Sequence, residues 1–274
     1  MKNLYILTSA TVSYNNYLPF LFKSLSNIKL SDIWNLNLIV MSDKEPDFSI
    51  VPENINKKIY YHIVHYPYAF NIYLYPNIIY DFIIENKLSN NDYILYIDAD
   101  TIFRNGDYYR KFENDLLSNK MIFSISPWFI TSQYNYENNI CKENGYLEVY
   151  IENMINTDFI QTSVFAGQIN IFKEFFKNEY EKMQTKLIKN WINKKMLPMN
   201  DQSLINYIVA KNRENYIKDN YIFNLYQDIN LNDVYNSFKN SVSCWKSFKI
   251  DNYPNIFLIQ KFNTYIKEQE RLSI

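Results

Sequence analysis

Two aspartates separated by one small residue, Asp98-Ala99-Asp100, follow the apolar run Tyr93-Ile94-Leu95-Tyr96-Ile97 and precede Thr101-Ile102-Phe103-Arg104. A buried strand that delivers two carboxylates to its end sets up a repulsion that a cation relieves. Oxygen ligands of this kind suit Mg2+ and Mn2+. An ion held there can clamp a diphosphate and offset charge on a leaving nucleoside diphosphate. Solvated aspartates at a strand end are the plain alternative. The buried strand ahead of the pair and the apolar-apolar-Arg segment behind it favour the metal–diphosphate reading. A second candidate, Asn200-Asp201-Gln202-Ser203, opens a helix predicted over Asp201–Lys211. There Asp201 caps the helix, serves a site, or does both.

Other residues admit two readings each. Thr8 and Ser9 end the first apolar run and can donate hydrogen bonds to a ligand or form a turn. Tyr17 can stack on a base or fill a core. Asp43 can bind a ribose or cap a turn, and Arg104 can touch phosphate or form a surface ion pair. Trp128, Trp191 and Trp245 suit acceptor platforms or burial, and Lys246 and Lys249 can reach a diphosphate. His62 and His65 are the only two histidines, too few for a multi-His metal site, and a structural role is their default. Cys141 and Cys244 stand far apart, which excludes a disulfide framework and a Cys-based zinc motif.

The elements that must position these residues follow from periodicity. Leu4–Leu7, Leu36–Met41, Ile59–Val64 and Tyr93–Ile97 read as buried strands, each ending in polar or charged residues. Helical spacing appears between them over Tyr17–Leu25 and over Ile78–Ile84 after Pro76. Strands alternating with helices predict an α/β chain with a mostly parallel central sheet flanked by helices. Ligands of such sheets bind beyond the carboxyl ends of the strands, which directs attention to Thr8-Ser9, Ser42-Asp43, His65–Pro67 and Asp98–Asp100. Farther on, Met121–Ser126 and Val164–Phe172 read as strands, Lys173–Asn193 as a long amphipathic helix and Phe257–Ile259 as a last short strand. Ser132–Gly145 reads as an Asn-rich loop, and the charged tail from Lys261 as a segment that frays.

With 274 residues, 47% hydrophobic and 21% charged, the chain has the composition of a folded globular protein. Its 28 Lys and Arg against 29 Asp and Glu leave no basic field for nucleic acid. Aromatic residues reach 18%, for which base composition of the genome is the bland cause and stacking platforms the other. Three glycines leave no Gly-rich phosphate loop and no Gly/Ser linker. The whole of 1–274 is therefore expected as one domain, whose halves over about 1–105 and about 106–274 are nucleotide-binding and donor-sugar and acceptor parts only as the family resemblance of its motifs implies. No run approaches a membrane span or a signal sequence. The expected location is the cytoplasm, with peripheral attachment to the inner face of the membrane compatible with it.

These motifs together resemble retaining glycosyltransferases of the GT-A fold, above all the ABO blood-group and α-1,3-galactosyltransferase family, glycosyltransferase family six. The resemblance runs over most of residues 4–228. Its carriers are Asn16–Leu21, Val40-Met41-Ser42-Asp43, Asp81-Phe82, Asn91-Asp92-Tyr93, Asp98–Arg104, Ser124-Ile125-Ser126, Tyr134–Glu137, Val164-Phe165-Ala166-Gly167 and Asn200–Ser203. Where that family has a Glu as proposed nucleophile, this chain has Gln202. A similar Gln occurs in glycosyltransferase family eight, whose Asp-Gln-x-x-x-Asn pattern is matched by Asp201-Gln202-Ser203-Leu204-Ile205-Asn206. The late His ligand of family eight has no counterpart, since no His follows His65. Tyr73 and Tyr75 stand in the region where basic residues would precede the Asp pair.

The resemblance implies a Rossmann-like GT-A sheet and transfer of a hexose, galactose or N-acetylgalactosamine first, from a UDP-sugar with retention of configuration. It implies Mn2+ or Mg2+ on Asp98 and Asp100. It places Thr8, Ser9, Tyr17, Asp43, Asp98, Ala99 and Asp100 around the nucleotide and Ala166 and Gly167 beside the donor sugar. Asp201 and Gln202 become the catalytic pair. The partners implied are a UDP-hexose donor and an oligosaccharide or lipid-linked glycan acceptor, with no nucleic acid. The competing functions are a non-catalytic sugar-nucleotide or glycan-binding module and a metal-dependent nucleotidyl or phosphoryl transferase.

Overall fold

The computed structural model describes residues 1–10, 15, 17–61, 68–99, 101–103, 109–125, 160–186, 201–219, 222–224 and 243–245. Seven strands form the main sheet: β1 (Lys2–Ser9), β2 (Trp34–Ser42), β3 (Asn56–Tyr61), β4 (Tyr93–Asp98), then β6 (Met121–Ile125), β7 (Ile160–Gln168) and β8 (Tyr216–Asp219). Their order is β3-β2-β1-β4-β7-β6-β8. All run the same way except β7, which is antiparallel to both of its neighbours. A second sheet joins β5 (Thr101–Phe103), β9 (Ile222–Asn224) and β10 (Ser243–Trp245).

Helices cover both faces of the main sheet. On the first face lie α1 (Leu18–Ser24) and α3 (Tyr109–Leu116). They pack on Leu4, Ile6, Leu38, Val40, Leu95 and Ile97. On the second lie α2 (Tyr68–Glu85), α4 (Ile169–Phe175) and α5 (Asp201–Lys211), which pack on Leu7, Ile39, Met41, Ile94, Tyr96 and Phe165. The central strands β2 and β4 carry near-continuous apolar runs because both of their faces are covered, whereas the edge strand β3 is largely exposed. The sequence expectation of an α/β chain with a mostly parallel sheet is met. Among the described residues no helix is long and apolar enough to cross a membrane.

Several expected boundaries move. The strand expected over Val164–Phe172 is β7, which ends at Gln168, and the chain turns helical at Ile169. Apolar residues continue on both sides of Gln168, so periodicity does not mark the change. What fixes it is the loop before β4, whose Asp92 and Asn90 carbonyls accept the N–H groups of Ile169 and Asn170, donors a helix start otherwise leaves unpaired. The helix expected over Lys173–Asn193 accordingly begins earlier, and α4 continues through a π turn, Phe176–Tyr180, into helical residues 181–186. Helix α2 begins ten residues before the expected Ile78 and runs through Pro76. Burial of Ile78, Ile79, Phe82 and Ile83 against the sheet outweighs the cost of an interior proline. Helix α5 has the expected bounds. Phe257–Ile259, Ser132–Gly145 and the tail lie outside the described residues.

The two ends of the main sheet differ in polarity. At the amino end an amide ladder crosses four strands on the α2 face. Asn3 donates to Asp92 Oδ1 (3.1 Å), Asn35 to Asn3 Oδ1 (2.8 Å), and Asn56 to Asn35 and Asn37 (3.4 and 3.2 Å). That end carries a chain of side-chain hydrogen bonds from β3 to the start of β4.

Candidate functional site

Chain order reverses between β1 and β4. From β1 the chain steps outward to β2 and β3, then returns through α2 to β4 on the other side of β1. Such a switch point opens a crevice at the carboxyl ends of the two strands. The ladder pairs Ser9 with Asp98 there, and Thr8 with Ile97. On the far side of β4, Ile97 pairs with Val164 of β7, the last pair of that ladder, and Ser163 and Asp98 are the residues that follow on the two strands. Asp98, the last residue of β4, is thus flanked by Ser9 and Ser163. All three alternate onto the face that carries Leu7, Tyr96 and Phe165.

A bulge helps to aim Ser163. Phe123 of β6 pairs with Phe165, yet its neighbour Ser124 pairs with Gln161. Thr162, Ser163 and Val164 are therefore additional on β7, an irregularity that re-aims side chains beside sites. The start of β7 is fixed from α5: Asn206 accepts the Ile160 N–H (2.7 Å) and donates to the Ile160 carbonyl (2.9 Å). Its amide acts as a short substitute for a strand partner.

Among the described residues, four hydroxyls in this region are buried without a hydrogen-bond partner: Thr8, Ser9, Thr101 and Ser163. Buried polar groups are nearly always paired, and each exception needs an explanation. Here the exceptions gather at the carboxyl end of β1, beside the end of β4, at the start of β5 and in the β7 bulge. A polar ligand seated there would supply the missing partners.

The Asp98 carboxylate meets a buried phenol. The Tyr96 hydroxyl donates to Asp98 Oδ1 at 3.0 Å. The Tyr96 ring is flanked by Phe165 (5.0 Å, stacked) and by Tyr75 of α2 (6.0 Å). Burial pushes its pKa well above the ordinary tyrosine value, and the nearby charges of Asp98 and Asp201 act the same way, as does Tyr75. The phenol is therefore a permanent donor. Asp201, 6% exposed in the first turn of α5 on this same face, suits the amino end of its helix.

The structure gathers Thr8, Ser9, Asp98, Ala99 and Asp201 at the carboxyl end of the sheet. Gln202 follows Asp201 as the second residue of α5. Asp43 is exposed just after β2. Beside it the buried Ser42 hydroxyl donates to Asn15 Oδ1 (3.1 Å) and accepts the Lys44 N–H (3.1 Å). Tyr17 is 3% exposed and packs within the α1 core. Ala166 and Gly167 lie deeper: they pair with Leu95 and Ile94, three and four residues back from Asp98, about 10–13 Å along the strand. A Cβ at Gly167 would stand 2.7 Å from Met121 Sδ, so this glycine serves strand packing. Asp100, His62, His65, Arg104, Trp128, Trp191, Lys246 and Lys249 lie outside the described residues, and Trp245 belongs to β10.

Sequence reading missed Ser163, Tyr96 and Thr101. A signal existed for Tyr96, which stands two residues before Asp98 and so shares its face. Ser163 could not be placed without the bulge. Among the described residues no group of three or more His, Cys, Asp or Glu could hold a metal ion by itself. Asp98 offers the hard oxygen chemistry that Mg2+ and Mn2+ take, and the cluster of unpartnered hydroxyls suits an oxygen-rich ligand beside such an ion. Compared with protein-family models and with curated proteins, the sequence matches none.

Proposed function

We propose that the chain is a metal-dependent glycosyltransferase of the GT-A fold that moves a hexose from a UDP-sugar to a glycan acceptor with retention of configuration. One observation carries the reading: at the β1/β4 switch point Asp98 accepts from the buried Tyr96 hydroxyl, within electrostatic reach of Asp201, beside buried hydroxyls that lack partners among the described residues. The resemblance of Asp98–Arg104 and Asn200–Ser203 to the two families supports the donor class.

Asp98, with Asp100 beside it in sequence, would hold the divalent ion, which when bound supplies charge neutralisation for a diphosphate leaving group. Thr8, Ser9 and Thr101 would donate hydrogen bonds to the nucleotide, and Ser163 to the donor sugar. In the transfer the acceptor oxygen bonds to the anomeric carbon as the bond from that carbon to the diphosphate oxygen breaks. The acceptor proton passes to the departing diphosphate on the same face of the sugar. Gln202 cannot serve as an ordinary carboxylate nucleophile. Its carbonyl dipole and the Asp201 carboxylate would stabilise the oxocarbenium-like charge.

A panel of sugar nucleotides with Mn2+, scored for released UDP and for product anomer by NMR, tests the reading. UDP release from at least one UDP-hexose with a retained anomer is expected. No release across the panel, or an inverted anomer, overturns it.

A further inference from the structure

Strand β3 ends the main sheet, and among the described residues it pairs with β2 alone. Asn56, Lys57, Lys58 and Tyr61 are exposed on it, Tyr61 at 63%, while Ile59 and Tyr60 are half-buried. An open edge of this kind is a template for another strand. Its residues are ordered to suit a copy of themselves. Lys57-Lys58-Ile59-Tyr60-Tyr61 sets two lysines before a central isoleucine and two tyrosines after it. We propose that the chain forms a twofold dimer in which β3 pairs antiparallel with β3 of a second copy, centred on Ile59.

In that register every lysine faces a tyrosine. Lys57 stands opposite Tyr61 of the second copy and Lys58 opposite its Tyr60, and the twofold repeats both pairs. Directly opposed side chains touch, and an ammonium over a phenol ring is attracted to it. Strand alternation puts the two pairs on different faces. Lys58 and Tyr60 share the face on which Tyr60 meets Phe82 edge-on at 5.2 Å. There the Tyr60 hydroxyl donates to Glu85 Oε2 at 2.8 Å, so a lysine arriving opposite Tyr60 also meets the exposed Glu85 carboxylate. Within its own chain Lys58 gives up only an exposed bond to Asn86 Oδ1, 2.6 Å. Lys57, Ile59 and Tyr61 lie on the other face, where Ile59 pairs with Val40 of the first core and, across the seam, with its own copy. Sliding the register to centre on Lys58 sets Lys58 against itself, and like charges directly opposed repel. Edge lysines ward off other strands; these two admit a strand that brings a tyrosine and a carboxylate to meet them.

Sedimentation velocity of the full chain between about 5 and 500 µM should show a monomer–dimer equilibrium, weak because a short edge makes a small interface. In Lys58→Glu a carboxylate meets Glu85 of the second copy at both ends of the seam. The dimer Kd should rise about 10-fold, and Lys58→Glu combined with Glu85→Lys should restore it. Cysteines read the register. Ile59→Cys should cross-link to its copy under diamide, because directly opposed Cα atoms lie about 4.5–5.5 Å apart, within reach of a disulfide. Lys57→Cys should not, because its copy is displaced four residues along the seam, about 13 Å. The unaltered chain under diamide supplies the background from Cys141 and Cys244. A chain that stays monomeric, a dimer indifferent to Lys58→Glu, a charge swap that fails to restore it, or cross-linking no better at 59 than at 57 overturns the proposal. Should Ile59→Cys not fold, Lys58→Glu and the swap, both at exposed positions, decide the matter alone.

Discussion

The Asn206 clamp joins the helix that starts at Asp201 to the strand that carries Ser163, so its removal should be felt across the site. In Asn206→Ala the Ile160 N–H and C=O both lose their side-chain partners inside the protein. Leaving a buried backbone group unsatisfied costs about 1–3 kcal/mol, so two such groups give a loss of roughly 2–5 kcal/mol. In a chain of this size each kcal/mol lowers Tm by roughly 2–4 °C. The expected fall is therefore about 5–15 °C by calorimetry, with a matching fall in the urea midpoint and an unchanged m-value. Asn206→Asp adds a signature in pH. The ionised carboxylate can still accept from the Ile160 N–H, but it sets an oxygen against the Ile160 carbonyl. Protonation restores the donor. The introduced carboxyl thus has a folded-state pKa above its unfolded value, and the variant's deficit should shrink as pH falls through that raised value. A loss under about 1 kcal/mol for Asn206→Ala, together with a pH-independent deficit for Asn206→Asp, would refute the clamp.

Further outcomes follow from the same geometry. Ser163→Ala removes a buried hydroxyl that has no partner, so it should leave stability unchanged or raise it by up to about 1 kcal/mol while lowering donor turnover. A clear loss of stability would show that the hydroxyl was already satisfied within the protein. Tyr216 donates to Glu179 at 2.7 Å, and burial, that bond and the Glu179 charge raise its pKa. The unfolded chain then loses this proton first, so stability should be fully present below about pH 10 and decline above it. Tyr216→Phe should flatten the decline by about 1.4 kcal/mol per pH unit in urea titrations, and an unaltered slope would dismiss the role. Gln202→Ala should cut turnover per folded molecule, whereas Gln202→Glu should keep activity or increase donor hydrolysis. Unimpaired turnover in Gln202→Ala would reduce Gln202 to a helix-start residue.

Local signals located much of this. The apolar runs ending at Ser9, Ser42 and Asp98 revealed three parallel strands, and with them the end of the sheet that carries the candidate site. Asp201 was legible because a carboxylate at a helix start stands out from its neighbours. What was hidden depends on pairing between distant segments. Gly167 looks like a ligand-facing glycine in isolation, yet the register sets it opposite Ile94 and against Met121. Ser163 closes the polar triplet Gln161-Thr162-Ser163 just ahead of the expected strand, and only the pairing of β7 with β4 carries it toward the Asp98 end of the sheet. Pro76 reads as a helix start, and tertiary burial carries α2 straight through it. Asn206 was visible as the last residue of a motif, but its bond to Ile160 spans 46 positions that no local pattern reports.

A crystal structure of the protein with UDP and Mn2+ tests the central claim most directly. The account predicts an ion within about 2.0–2.3 Å of an Asp98 oxygen, the diphosphate on that ion, and the Thr8, Ser9 and Thr101 hydroxyls paired with the nucleotide. UDP seated elsewhere, or an ion held without Asp98, would contradict it.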